Sequence, residues 1–465
     1  MMAQSQSAVA VRTRILFASM VAAAALPFAL RADTPNVYAI RGARIVTAAG
    51  APIDSGTIVI RNGTIEAVGA SVAAPPDATA VDGNGMIVYP GLIDLGNTRA
   101  ADQSAPQPPQ NIRSTAELER WKRMQILKPQ ARAADAVKVD DAELTRLASA
   151  GITSVLALPA GDVISGQSAL VNVVAPPDAP QIGNIVDSRR GLIVVRSPVA
   201  LHVSFPDRPR AAPNGYPESL MGVIAFVRQA FLDAQHYAAE RSAEKGARAL
   251  QANATDDPAL EAMQPAIDRR MPVAFEANEG RQILRALKMA KELKLEPIVT
   301  GARRADEVAA DLKAQNARVI YSLNFPPRPR TLAPDADEPI EALRTRAEAP
   351  KVPAELAKAG VTFAFSTAGL NDPKDFVRNA SKAVKGGLAE DAAIRALTIS
   401  AATIAGVADR LGSLEKGKTA NLIVTDGSLF DEKTKITKVF VEGRSVALDA
   451  VTPPPAGRGR GRGGM

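Results

Sequence analysis

Short apolar runs separated by turn residues fill the stretch from Val37 to Val88. Ala43-Arg44-Ile45-Val46 and Thr57-Ile58-Val59-Ile60 read as strands, and Asn62-Gly63 then leads into Thr64-Ile65-Glu66-Ala67-Val68. Asn and Gly accept positive φ, so this spacing predicts a tight hairpin. The same texture returns near the far end. Ala420-Asn421-Leu422-Ile423-Val424 and Ile436-Thr437-Lys438-Val439-Phe440-Val441 read as strands, with Glu442-Gly443 as a turn. Two β-rich ends around a long middle predict one small β-sandwich composed of N- and C-terminal segments, residues 33–89 and 410–450.

The middle has another rhythm. Pro272-Val273-Ala274-Phe275-Glu276 reads as a buried strand, and Ile283, Leu284, Leu287 and Ala290 then mark one face of a helix from Arg281 to Leu293. Further strands are expected at Pro297 to Thr300 and Arg318 to Leu323, with a helix at Ala305 to Ala314 between them. Upstream, a helix from Asp141 to Ala150 runs through Gly151 into a strand from Ile152 to Leu158. Downstream, a helix from Ala354 to Lys358 runs through Gly360 into a strand from Val361 to Ser366. Buried strands alternating with amphipathic helices predict an α/β fold with a parallel sheet. Residues 90–409 suffice for a (β/α)8 TIM barrel, and the rhythm alone leaves an open doubly wound sheet as the alternative. Ala101 to Gln110 and Phe325 to Pro350, rich in Pro, are expected to be long loops. Residues 451–465 form a Gly/Arg tail expected to be disordered.

Composition narrows the function classes. With 46% hydrophobic but 4% aromatic residues among 465, aliphatic side chains must fill the core. The formal charge of +7 suggests a nucleic-acid partner until it is located. Arg12, Arg14, Arg31, Arg458, Arg460 and Arg462 lie in acid-free ends, which leaves about one charge for the body and predicts no nucleic-acid footprint. Arg12 and Arg14 precede an apolar run from Ile15 to Leu26 that Pro27 breaks, and Ala32 precedes Asp33. This pattern predicts a signal peptide at 1–32 and an exported, periplasmic or secreted protein with no membrane span after cleavage; an uncleaved anchor or a misplaced start is the alternative. The chain has no cysteine, so thiolate chemistry and disulfides are excluded.

Several segments in order resemble the amidohydrolase superfamily, in particular its imidazolonepropionase-like exported members. Met86-Ile87-Val88-Tyr89-Pro90-Gly91-Leu92-Ile93-Asp94 is similar to the family's opening barrel strand, and Gly151-Ile152-Thr153-Ser154-Val155 to its Gly-Val-Thr-Thr-Val. Val163-Ile164-Ser165-Gly166-Gln167 and Ala396 to Ala402 resemble two later segments. Asp409 to Val424, with Leu-Gly-Ser-Leu-Glu-Lys-Gly-Lys-Thr-Ala-Asn-Leu inside it, carries the most specific likeness, although Asn421 stands where the family usually has Asp. The resemblance implies a metal-dependent-hydrolase barrel with the composite β-domain beside it.

It also implies a metal site whose ligands this chain lacks. The metal of active relatives lowers the pKa of bound water to about 7 and polarises the attacked carbonyl. The family's His-x-His pair falls on Gly96 and Thr98, its later histidines on Glu276 and Thr300, and its aspartate on Ala368; Asn172 is the position assigned to the bridging lysine. Of these only Glu276 is a good cation ligand, so no metal or other cofactor is expected. The two histidines, His202 and His236, stand elsewhere and read as structural, with a relocated site using both as the alternative. Glu276 and Asp94 are the candidate carboxylates for metal-free general-base work, with Glu279 close by. The competing, structural reading pairs Glu276 with a nearby arginine such as Arg303 or Arg304, or has it hydrogen-bonded in the vacated pocket. Ser165 and Ser366 lack any histidine tied to them by a motif.

The expected function is therefore that of a catalytically degenerate family member acting as partner or regulatory subunit of an active homologue, or self-associating. The alternatives are a hydrolase of non-peptide C–N bonds with a non-standard site, and a periplasmic small-ligand binding protein.

Overall fold

The computed structural model describes residues 37–104, 111–174, 181–182, 185–186, 193–210, 215–247, 257–329, 331–333 and 335–448. The expected signal peptide and the Gly/Arg tail lie outside these residues, as does most of 101–110. Among the described residues no helix is long and apolar enough to cross a membrane.

The first strands are β1 (Val37–Ile45), β2 (Ile53–Arg61), β3 (Thr64–Gly69), β4 (Thr79–Asp82) and β5 (Ile87–Pro90). The predicted turn joins β2 to β3, with Asn62 at φ 49° and Gly63 at φ 81°. β1 pairs antiparallel with β2 along one edge, while its other edge is shared by β4 and β5, both parallel to it. The barrel region supplies β6 (Leu92–Asn97), β7 (Ile152–Ala157), β8 (Ile164–Gln167), β9 (Ala169–Asn172), a small hairpin of β10 (Gln181–Ile182) and β11 (Ile185–Val186), and β12 (Ile193–Arg196). It continues with β13 (Leu201–Ser204), β14 (Val273–Ala277), β15 (Pro297–Gly301), β16 (Arg318–Ser322) and β17 (Phe363–Ser366). The chain then returns to the first sheet with β18 (Leu422–Thr425), β19 (Ile436–Val441) and β20 (Arg444–Val446). β18 pairs antiparallel with β5, so both ends of the chain share one eight-stranded sheet. Ile40, Ile58, Ile60, Ile65, Leu422 and Phe440 form its apolar core.

The barrel strands follow one another in the expected order. β13 to β17 are mutually parallel, as are β6 and β7. The third position departs from the alternating pattern: β8 and β9, continuous through Ser168, run antiparallel to β13 on one side and β7 on the other. The reason lies in the connections. Only Leu158 to Val163 separate β7 from β8, too short for the helix that a parallel crossover needs. Between β17 and β6 there is no strand ladder; the seam is bridged by Asp94, described below. Ile93, Leu95, Leu156, Leu170, Ala274, Ile298, Ile320 and Ala364 fill the interior with residues from the helix Ile399–Ala405.

Helices clothe the outside. Gly280–Glu292 presents Ile283, Ala286, Leu287 and Ala290 to the core, and Gln282 Oε1 accepts from the Asn278 and Glu279 backbone N–H groups at its start. The stretch expected to be an unbroken loop at Phe325 to Pro350 contains a helix, Ile340–Glu348. Its repeated prolines stay outside the helix, Pro339 before the first turn and Pro350 after the last. Glu338 then anchors it through a 2.5 Å bond to Arg346. The fixed φ of proline suits a helix start, which the reading of Pro as loop punctuation overlooked.

Candidate functional site

Strand polarity puts the C-terminal ends of β14 to β17 at one mouth of the barrel, where barrel enzymes carry their reactive groups. A cavity of about 240 Å³ opens there, lined among others by Glu276, Asn278, Arg303, Ser322, Asn324 and Ala368. Glu276 lies near the end of β14, in register with Ser204 and Thr300. Its side chain is exposed, and no ion pair within 4.0 Å involves it among the described residues. The expected pairing with Arg303 or Arg304 is not found. Arg304 turns instead to Glu307, at 2.7 Å, and Asp306, at 3.7 Å, because a residue three along the same helical turn is the nearer partner. Arg303 is exposed and lines the cavity.

Two glycines shape the wall. Gly301 and Gly369 have φ of 85° and 84°, and a Cβ at either would run into a side-chain amide, that of Asn278 or of Asn324. Their bare backbones make room for these two amides, neither of which has a hydrogen-bond partner among the described residues. Tyr321 closes the inner side. Its hydroxyl donates to the Ala349 carbonyl at 2.7 Å, and burial, with the nearby Asp306 carboxylate, holds the phenol well above its ordinary range. Ser322 Oγ donates to the Ala368 carbonyl at 2.7 Å.

The positions where the resemblance implied metal ligands converge only in part. A Cβ added to Gly96 would lie 2.8 Å from the Cβ of Ser366 and 3.4 Å from that of Ala368, so these positions meet at the seam between β6 and β17. Ser366, fully buried, occupies the space that a side chain at 96 would need. Thr98 is exposed and lines a separate small cleft with Arg99, Glu143 and Arg146. Thr300 Oγ1 is spent on the Phe275 carbonyl at 3.4 Å. The residues present do not fit a catalytic metal, which needs at least three protein ligands. Among the described residues no three His, Asp or Glu side chains gather to hold one.

Asp94 is buried at the seam and does structural work. Its Oδ1 accepts from Thr367 N at 2.8 Å and Gly96 N at 3.1 Å, and Oδ2 from Thr367 Oγ1 at 2.5 Å. Burial raises its pKa, and the bonds from Thr367 and Gly96 oppose that rise. All three bonds point along the seam, which leaves Asp94 fixed between two strands.

Asn172 does not stand where a bridging lysine would. Because β9 runs antiparallel, its last residue lies at the opposite end of the barrel from the mouth, beside Ser154. Its Oδ1 accepts from Ser154 Oγ at 2.7 Å and Asn421 Nδ2 at 3.0 Å, and its Nδ2 donates to Glu442 Oε1 at 2.5 Å. Asn421 Oδ1 accepts from Glu442 N at 2.9 Å. The Asn that departs from the family's usual Asp thus supplies an N–H donor to a buried network at the junction of barrel and sheet. No bridging-lysine equivalent stands at 172.

The histidines are not brought together. His236 sits exposed on the helix Leu220–Ala247, 3.0 Å from Glu240. His202 pairs in register with Ala274 of the interior core, and its Nε2 is buried without a partner; burial pushes its pKa down to about 4. Ser165 is the extra residue of a bulge in β8, between the partners of His202 and Val203. Arg303, Asn278 and Asn324 were not singled out from sequence as cavity residues. The available signal was a glycine at the end of β15 and another just beyond β17.

The Amidohydrolase family model matches residues 87–446. An amidohydrolase from Thermotoga maritima MSB8 is similar in structure, with a TM-score of 0.69, 22% identity, and coverage of 88% of this chain and 99% of that one. A prolidase complexed with N-methylphosphonate-L-proline is similar at a TM-score of 0.50 and 17% identity, over 88% of this chain and 99% of that one. No curated protein sequence matches.

Proposed function

The chain belongs to the amidohydrolase family, and from that premise we propose that it has given up metal-dependent hydrolysis and uses the barrel mouth for binding. The observation that carries this reading is the packing at Gly96. Two ligand-equivalent positions meet there as Gly and Ala, and Ser366 fills the space between strands that a histidine would need. Without imidazole or carboxylate donors at these positions, no cation can be held where it would turn water into hydroxide. The cavity beside this point keeps exposed polar groups, which suit ligand recognition.

The test is a hydrolysis assay on N-acyl amino acids, dipeptides and cyclic amides, with zinc or manganese supplied in excess. The reading expects no turnover above that of the free ion. Protein-dependent turnover would instead favour a hydrolase with a non-standard site.

A second reading, as partner or regulatory subunit of an active homologue or of a second copy, draws on the surface. Tyr216 and Met221 are 63% and 81% exposed, beside the Tyr216–Phe226 ring contact. Large exposed apolar side chains of this kind suit association. A strictly monomeric protein that co-purifies alone from its host would defeat this reading. The N-terminal pattern further supports an exported location.

A further inference from the structure

Resting on the binding reading above, we infer that the mouth cavity takes a small zwitterion, one short molecule offering an ammonium to Glu276 and a carboxylate to Arg303. Both side chains are exposed, line the same cavity and lack an ion-pair partner among the described residues. Glu276 lies on β14 and Arg303 just beyond the end of β15, parallel neighbours that run ~4.8 Å apart, yet the two side chains do not pair with each other. Two opposite charges left open around one cavity are complementary to a small ligand that carries both signs. The planar guanidinium fork matches a carboxylate. The unpartnered amides of Asn278 and Asn324 supply neutral donors and acceptors, and Phe325 and Pro326 give an apolar stretch of wall. The volume of about 240 Å³ falls below that of sites for drug-sized molecules, roughly 300 Å³ and up, which points to the size of a free amino acid with an aliphatic side chain.

Isothermal titration of the full chain with glycine, alanine and leucine, each beside its carboxamide and its N-acetyl form, tests this. At least one free amino acid should bind, and blocking either end should weaken it by about tenfold or more, the scale of one charged hydrogen bond. Arg303→Met should level the amino acid with its carboxamide, and Glu276→Gln should level it with its N-acetyl form. Thermal unfolding checks that both variants fold, and the capped-ligand comparison on the unaltered protein stands without them. Absence of binding by all three amino acids, or capped forms that bind equally well, overturns the inference. Cleavage of N-acetyl-leucine under excess zinc, followed by chromatography, reads the parent proposal separately. Turnover there would sink the binding-only reading even if the zwitterion preference held.

Discussion

The floor and the mouth of the barrel handle polar groups in opposite ways. At the floor Ser154, Asn172, Asn421 and Glu442 are bonded to one another, and each buried amide finds partners. At the mouth Glu276, Arg303, Asn278 and Asn324 face one cavity with no such bonds among the described residues. An unmet polar group inside a protein costs about 1 to 3 kcal/mol, so pairing is what folding favours wherever water is excluded. The floor obeys that rule. The mouth departs from it only because it is open to water, and groups held there without partners remain available to a ligand. The seam at Asp94 belongs with the floor in its chemistry, although it lies on the strand that leads toward the mouth.

Substitutions should separate these regions by the size of their effect. Asp94→Ala strands three buried donors, Thr367 N, Thr367 Oγ1 and Gly96 N, and should cost ~3 to 5 kcal/mol in urea unfolding. A loss below about 1 kcal/mol would mean that the seam is not held by this carboxylate. The next effect is pH-dependent. The folded state holds His202 near 4 against 6.5 when unfolded, so the unfolded chain takes up a proton first as pH falls. Stability is intact above about 6.5 and is lost as pH drops toward 4, by ~3 kcal/mol at 1.36 kcal/mol per unit. Asp94 has the reverse sign, its raised pKa weakening the fold as pH rises through it. The difference between the unaltered protein and His202→Gln isolates the histidine, and parallel pH profiles for the two would refute its role. Gly96→Ala should cost ~1 to 3 kcal/mol, since the new Cβ would press on Ser366 at 2.8 Å. A neutral result would show space still open at that position. Smallest of all, Glu276→Gln should shift stability by no more than ~0.5 kcal/mol, because the exposed carboxylate is bonded to nothing that the fold requires.

Much of the frame is legible in the sequence. The short apolar runs around Ile58 and Ile65, and the Asn62-Gly63 turn between them, encode a hairpin through local chemistry alone. The helix face of Ile283, Leu287 and Ala290 encodes its own burial in the same way. What pattern cannot carry is direction and distance. β8 and β9 have the apolar text of any buried strand, and nothing in Ala169-Leu170-Val171-Asn172 states that it runs antiparallel. Asn172 was therefore placed at the wrong end. Glu276 was visible because a known motif marks its position. Asn278 and Asn324 were not, and Arg303 was expected only as an ion-pair partner of Glu276, since only the folded chain brings residues near the ends of different strands around one cavity. The helix Ile340–Glu348 was hidden by prolines that sit outside it and not within it.

The central claim is that the barrel mouth cannot hold a catalytic cation, and metal content after dialysis tests it most directly. Full-length protein loaded with zinc, manganese or iron, dialysed without chelator and analysed by mass spectrometry, should retain far less than one ion per chain. One tightly held ion per chain, lost when Glu276 is changed to Gln and accompanied by turnover that a chelator abolishes, would contradict the account.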